Sequence, residues 1–275
     1  MFAGCEKIIK LDLTSYISIE ALYMNNMFDG CTDLQNIVIS IKFNTDKVNS
    51  MSQMFKNCKN IITIDASFFS TISVKNMSEM FFGCENLVNL DIHTFNFENL
   101  NDMSSMFQGC AKLEDIIFPN TKIKYLEKMD NLFSGCLSLK SLNFGFLGTA
   151  RVTKMNKVFY DCKLLESIIG MEFDVKKVED MTGMFQNCNS LISLNLSNFN
   201  TINLKSVDYM FSDCNQLQNL NLENFNTLKC NSFNNIFENC NKLEVILNPN
   251  YVNNLYAYIP EYVHVINITN NREYF

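Results

Sequence analysis

Apolar side chains recur along this chain in a pattern that repeats every 26 residues, with one step of 27. Each repeat has a cysteine and further apolar residues three, four and seven positions before it, as in Cys84, Phe81, Met80 and Met77. Apolar residues at this spacing share one face of a helix or a tight helical turn. The pattern therefore predicts one helical segment per repeat, about two turns long, whose apolar face points inward.

The two ends of this segment carry their own signals. The residue directly before each of the ten repeat cysteines is Gly, Asn or Asp, and these types tolerate a left-handed backbone at a helix end. Before the first apolar position stand residues that commonly cap a helix N-terminus. These are Ser50, Asn76, Asp102, Asp180, Ser206 and Ser232.

After the cysteine the spacing changes from helical to extended. Leu87, Leu90 and Ile92 form an L-x-x-L-x-L pattern whose last two members alternate as in a half-buried strand. Repetition at a fixed period of roughly 20 to 50 residues indicates a solenoid. We predict an α/β repeat solenoid of the leucine-rich-repeat type, with a parallel β ladder, one short helical turn per repeat and about ten repeats.

The chain divides into two regions. Residues 1–248 are predicted to form the solenoid, and its first repeat is truncated because the chain begins in the middle of a repeat. This start indicates either a fragment of a longer protein or a first repeat that acts as an imperfect cap. Residues 249–275 depart from the period and are predicted to be a degenerate repeat or cap, with a last strand over residues 263–268.

The repeat motif also resembles a known family. Read from Met77 to Asn96, and with variations in the other repeats, M-S-x-M-F-x-G-C-x-x-L-x-x-L-D-L-x-x-F-N resembles the BspA-like leucine-rich-repeat proteins, in particular their surface-lipoprotein repeats. The resemblance covers about residues 1–248. It implies a cell-surface or secreted protein with a role in adhesion or surface interaction, and no shared catalytic site.

The chain has eleven cysteines, including Cys230, which falls in an apolar column with Val178 and Leu204. No C-x-x-C pair occurs, and ligands one rung apart in a straight column cannot surround a tetrahedral ion. The strand spacing of about 4.8 Å exceeds the Cβ separation of about 3.8 Å that a disulfide favours. We expect buried free thiols, with disulfide pairing and metal or redox chemistry as the alternatives.

Charge and motifs limit the function. The net charge is -7 and no Lys/Arg cluster is present, which disfavours nucleic acid and anionic membranes as partners. The sequence has no membrane-spanning apolar run and no nucleotide-binding, metalloprotease or hydrolase fingerprint, so we expect no cofactor, no metal and no enzymatic activity. The enzymatic alternative is a carbohydrate-active enzyme that uses Asp65 and Asp91, one rung apart.

Two columns of side chains should point outward from the ladder. One contains Lys10, Asn36, Thr63, Asn89, Asp115, Ser141, Ser167, Ser193 and Asn219, and the other contains Asp12, Val38, Asp65, Asp91, Ile117, Asn143, Ile169, Asn195, Asn221 and Leu247. The polar strip that they form is the predicted ligand surface, because solenoids bind partners along extended regular faces. Its candidate binding residues are Asp65, Asp91, Asn89, Asp115, Asn143, Asn195, Asn219 and Asn221.

The sequence therefore predicts a non-enzymatic module that binds a protein or a glycan along its ladder face, as part of a surface or secreted protein. An intracellular scaffold of the same fold is the alternative, since a fold does not define a function.

Overall fold

Short parallel strands follow one another along one side of a solenoid in the computed structural model, which describes residues 1–18, 20–40, 42–119, 123–144, 147–252 and 254–268. The strands are β1 (Lys10–Asp12), β2 (Asn36–Val38), β3 (Asn89–Asp91), β4 (Asp115–Ile117), β5 (Ser141–Asn143), β6 (Ser167–Ile169), β7 (Ser193–Asn195), β8 (Asn219–Leu222), β9 (Glu244–Leu247) and β10 (His264–Asn267). Two short 3-10 helices span Ala66–Phe68 and Leu255–Tyr258.

Neighbouring strands pair in parallel at the repeat period. Asn89 lies opposite Asp115, and Asn143 lies opposite Ile169. The pairs form four sheets, β1–β2, β3–β4, β5–β6 and β7 to β10. A second series of parallel bridges joins the starts of the turn segments, as between Asn76 and Asp102. The predicted solenoid with a parallel ladder is confirmed, and paired residues stand beside their equivalents in the next rung.

The segment before each cysteine turns as predicted, but it is a run of β-turns and not an α-helix. In the rung of Cys84, alternate N–H groups donate to the carbonyl three residues back, as from Cys84 to Phe81 at 3.1 Å. The N–H groups between them donate to the next rung, as from Phe81 to Met106 at 2.9 Å. An α-helix uses these N–H groups for its own carbonyls, so it could not form this ladder.

Two residues of each turn segment have a left-handed backbone. One stands directly before the cysteine, as predicted, with φ of 57° at Asn57. The other stands five residues before the cysteine and was not predicted, because residues as different as Glu79 (φ 56°) and Tyr209 (φ 56°) occupy it. This conformation costs a non-glycine residue about 1 kcal/mol or more, so the hydrogen bonds to neighbouring rungs must offset it.

The apolar columns form the core. Met77, Met80, Phe81 and Cys84 are fully buried, as are their equivalents in the neighbouring rungs. The phenylalanine rings stack along the solenoid, with centroids 5.7 Å apart between Phe81 and Phe107 and an interplanar angle of 5°. Offset stacking of this kind adds to the free energy gained by burying the rings. The apolar face was therefore identified correctly although its secondary structure was not.

The thiols of the repeat cysteines lie inside the same column. From Cys31 to Cys240, each Sγ donates to the carbonyl of a phenylalanine in the preceding rung, as from Cys110 to Phe81 at 3.1 Å. All eleven cysteines are free, which confirms the predicted state, and all except Cys5 are buried. Burial raises the pKa of Cys110 and of Cys240 to about 12. These thiols are consequently protonated and unreactive near neutral pH.

In the C-terminal region, one residue of the ladder has a different orientation from the predicted one. β10 pairs with β9 in parallel and provides the predicted last strand, while the domain boundary at residue 248 stays a prediction. Leu247 was expected to point outward, but it is fully buried and lies opposite Leu222. The rung of Cys240 is one residue shorter before its strand, so that Ile246 lies opposite Asn221 and takes the outward position.

We expect Phe107→Ala to lower the free energy of unfolding by about 3 to 5 kcal/mol, because it opens a cavity between two stacked rings. Phe68→Ala is the matched control, since Phe68 is 39% exposed and its removal leaves no buried cavity. Denaturant titration of both variants measures the difference. A cost below about 1 kcal/mol for Phe107→Ala would mean that the column is not a packed core.

The thiol column should make folding sensitive to alkaline pH. A cysteine in an unfolded chain has a pKa of about 8.5, whereas burial raises the pKa of Cys110 to about 12 in the fold. Between these values the unfolded chain has released a proton that the folded chain keeps. The stability contributed by this group is therefore complete below the lower value, and it falls by about 1.4 kcal/mol per pH unit above it.

The free energy of unfolding of the unmodified chain should accordingly fall more steeply above roughly pH 8.5 than that of Cys110→Ala. Leu113→Ala is the control, because it also empties a fully buried position and carries no titratable group. Its difference from the unmodified chain should stay constant with pH. Parallel pH profiles for Cys110→Ala and the unmodified chain, measured under reducing conditions, would contradict this account.

Candidate functional site

Seven of the eight residues that the sequence identified as ligand candidates lie on strands of the ladder, and Asp65 directly precedes the 3-10 helix Ala66–Phe68. The list is Asp65, Asn89, Asp91, Asp115, Asn143, Asn195, Asn219 and Asn221. All are exposed except Asn221, which is half-buried. The face is thus polar and accessible over many rungs, and the role of these residues in binding stays a prediction.

The carboxylates and amides at the strand ends also have a structural role. The side chain of Asp91 accepts from the backbone N–H of His93 at 2.9 Å, and Asn195 accepts from Ser197 in the same way at 3.0 Å. Asp65 accepts from the backbone N–H of Ser67 at 3.1 Å and caps the 3-10 helix Ala66–Phe68. After β3 and β7 these Asx turns start the next side of the rung, and the turn at Asp65 does the same in a rung without an assigned strand.

The electrostatics of Asp91 follow from these contacts. The hydrogen bonds from the backbone and the ring of His93 hold the pKa of Asp91 below its usual range. His93 Nδ1 lies 2.6 Å from Asp91 Oδ1, and both side chains are more than half exposed. A general acid for glycoside hydrolysis needs a raised pKa. The shift at Asp91 is therefore opposite to that requirement.

A recess of about 440 Å³ opens on the ladder face across β4, β5 and β6. It lies where the ladder passes from the sheet β3–β4 to the sheet β5–β6. Ile117 and Ile169 line it and are 52% and 60% exposed, with Asn143 on the strand between them. Asp115 and Ser141 form part of its polar rim. The sequence showed these isoleucines only as interruptions of a polar strip.

A second polar corner, which the sequence did not reveal, lies several residues after the Asx turn at the strand end. The Thr201 side chain is buried and donates to the carbonyl of Asn226 in the next rung at 2.9 Å. It also accepts from the backbone N–H of Asn226 at 2.6 Å, while Asn226 Oδ1 accepts from the backbone N–H of Leu228 at 3.0 Å. Thr71, Asn96 and Glu98 make the same three bonds. We call this arrangement a closed corner.

Other kinds of site have less support from the geometry. Among the described residues, no group of three or more His, Cys, Asp or Glu side chains is placed to hold a metal ion. Over the same part of the chain, no helix has both the length and the apolar character that crossing a bilayer requires. The polar side chains instead lie along the rung corners and the ladder face.

The chain belongs to the family described as "Mycoplasma protein of unknown function, DUF285", which matches residues 1–120 and 127–249. A search of curated proteins found no match. The narrower BspA-like assignment stays a prediction from the repeat motif.

Solved leucine-rich-repeat structures show weak likeness to the chain. A leucine-rich repeat protein from Bacteroides ovatus is 20% identical, with 98% of this chain and 86% of that chain covered and a TM-score of 0.38. The T. pallidum leucine-rich repeat protein is 18% identical, with 69% and 68% covered and a TM-score of 0.36. A leucine-rich cell surface protein from Faecalibacterium prausnitzii is 16% identical, with 87% and 82% covered and a TM-score of 0.32. Likeness of this size says nothing about the ligand of this chain.

We expect Thr201→Val to lower the free energy of unfolding by about 1 to 3 kcal/mol, because it removes the hydroxyl from two buried hydrogen bonds without changing the shape of the side chain. Thr94→Val is the control, since Thr94 is exposed. Denaturant titration measures both. Equal stabilities for the two variants would mean that the closed corner does not stabilise the rung.

Proposed function

We propose that the chain is a non-enzymatic interaction module that binds a protein partner along its ladder face, as part of a cell-surface or secreted protein of the adhesion type. A glycan is the alternative occupant of this face, because Asn, Asp and Ser side chains line most of it. The recess across β4, β5 and β6 is the observation that carries the proposal.

The recess combines features of a protein interface. Ile117 and Ile169 expose apolar surface on the two sides of Asn143, and Asp115 and Ser141 add polar groups beside them. Specific protein interfaces commonly have an apolar centre inside a polar rim. The regular ladder on both sides provides a wide surface for further contacts. A protein partner accounts for the isoleucines better than a merely solvated face does.

The environment of the aspartates supports a non-enzymatic role. Asp65 and Asp91 each hold a backbone N–H in an Asx turn, and the pKa of Asp91 is lowered. A pair of glycosidase carboxylates needs one group that stays protonated near neutral pH. The carboxylates are therefore better suited to the rung corners than to acid catalysis.

The cellular location rests on the repeat motif, which resembles surface-lipoprotein repeats. A scaffold inside the cell would use the same ladder face, so the two alternatives differ in location and not in mechanism. Protease treatment of intact cells that express the full-length gene product distinguishes them. Digestion of the solenoid on intact cells supports a surface location, and protection that ends only on lysis supports the scaffold.

We expect the purified chain to bind at least one member of an array of secreted proteins, cell-surface proteins and glycans. Ile117→Asp and Ile169→Asp should each weaken that binding about tenfold or more, because each places a charge in the apolar centre of the contact. Surface plasmon resonance measures the affinities, and circular dichroism confirms that the variants fold.

Leu164→Asp is the matched control, because Leu164 is 45% exposed and lies outside the recess. It should bind as the unmodified chain does. Normal binding by the ladder variants together with loss of binding in Leu164→Asp would place the interface on another face. Hydrolysis of an arrayed glycan that Asp91→Asn abolishes would overturn the non-enzymatic proposal itself.

A further inference from the structure

At Asn200 a corner of the solenoid lacks the closed arrangement that Asn96 and Asn226 have. Asn200 occupies the same position in its rung as Asn96 and Asn226, yet among the described residues its side chain, its backbone N–H and its carbonyl take part in no hydrogen bond. Asn96 and Asn226 each use all three groups. The Asn200 side chain is also exposed. We call this position the open corner.

The cause is visible in the preceding rung. The hydroxyls of Thr71 and Thr201 donate to the carbonyls of Asn96 and Asn226. The residue at the equivalent position before Asn200 is Val175. Val175 is buried in the corresponding column but has no hydroxyl to donate or accept. Two methyl groups thus stand where Thr71, Thr149 and Thr201 provide a hydroxyl, and Phe97 and Ile123 in the same column also lack one.

The open corner lies at the centre of a groove. Two recesses of about 330 Å³ and about 380 Å³ adjoin there and share Asn198 and Asn200. Asn224, Asn226, Ile202 and Tyr251 line one recess. The side chains and backbone from Glu172 to Lys176 line the other. The groove runs over four rungs on a side of the solenoid that follows the ladder face.

The amide side chains beside the open corner are held in place by hydrogen bonds, and each keeps groups that can bind a ligand. Asn198 Nδ2 donates to the carbonyl of Met171 at 3.2 Å, and Asn224 Nδ2 donates to the carbonyl of Ser197 at 2.6 Å. Each of these side chains keeps its oxygen and a second N–H for a ligand. Asn226 keeps both N–H groups, because its oxygen accepts from Leu228. Donors and acceptors thus alternate along the groove at the spacing of the rungs.

This lining selects the chemistry of the occupant. Sugar hydroxyls both donate and accept, so rows of amides that do both are complementary to them. Tyr251 and Ile202 add apolar surface against which the C–H groups of a sugar ring can pack. Glu172 and Asp174 outnumber the one cation of the lining, Lys176, and so disfavour an anionic ligand such as a nucleic acid. We propose that the groove centred on Asn200 binds a neutral oligosaccharide, at a site separate from the ladder face.

The test uses a panel of neutral oligosaccharides: cellopentaose, maltopentaose, xylopentaose, mannopentaose and chitopentaose. We expect at least one to bind the full chain with a Kd of roughly 0.1 to 1 mM, measured by calorimetry and by saturation-transfer NMR. Asn200→Ala should weaken this binding about tenfold or more, since it removes an exposed side chain that makes no hydrogen bond within the described part of the chain. Its thermal midpoint should not change.

A second variant separates binding from stability. Val175→Thr supplies the hydroxyl that Thr201 provides to Asn226, so it should close the corner, raise the thermal midpoint and weaken sugar binding about as much as Asn200→Ala does. Asn215→Ala is the matched control, because Asn215 is exposed and outside the groove. It should change neither quantity. Loss of a structural contact alone cannot produce higher stability together with weaker binding.

Three results would overturn the proposal. The first is that no panel member binds when its concentration is about ten times the expected Kd. The second is binding that neither Asn200→Ala nor Val175→Thr weakens. The third is a groove that takes a peptide from a peptide library, with loss of that peptide in Asn200→Ala and no sugar bound. Ile117→Asp leaves the groove intact, so sugar binding by that variant distinguishes this site from the ladder face.

Discussion

Backbone hydrogen bonds between successive rungs are the constraint on which the rest of this structure depends. In the turn segments every second N–H donates to the next rung, and within each sheet of the ladder the strands pair in register. This network requires the same backbone path in every rung, including left-handed residues at two fixed positions. Identical paths place identical side chains in columns, so a single favourable residue type is repeated along the whole solenoid. The stacked phenylalanines and the thiols that donate to their carbonyls are consequences of that register.

The same constraint explains the polar composition. Many rungs turn their corners with short side chains that accept from the backbone two residues on, as Asp91, Asn195 and Asn226 do. The 40 asparagines of the chain are thus in large part structural, since Asn and Asp are the types that form these turns. A polar surface residue at a corner is therefore weak evidence for binding. Positions where a column changes its residue type carry more information.

The sequence predicted the parts of the fold that depend on burial. The Phe, Met and Cys columns and the outward strip follow from periodicity, and all but Leu247 of the outward residues have the predicted orientation where the pairing is recorded. Leu247 was misplaced because a single deleted residue moves a strand side chain to the opposite face. The turn segment was read as helical because spacings of three and four also suit successive β-turns. The left-handed backbone at Glu79 and Tyr209 follows from hydrogen bonds to other rungs, and the local sequence carries no signal for it.

The candidate sites were harder to predict because they depend on exceptions. Ile117 and Ile169 were visible as breaks in a polar strip, but the recess between them requires the change of sheet between β4 and β5. In the sequence Val175 looks like an ordinary core residue. Its difference from Thr71 and Thr201 matters only because their hydroxyls form hydrogen bonds to the next rung. Ile169 and Val175 are only six residues apart in one rung. A solenoid can thus alter two neighbouring faces by exchanging side chains within its columns, while the backbone register that stabilises it stays the same.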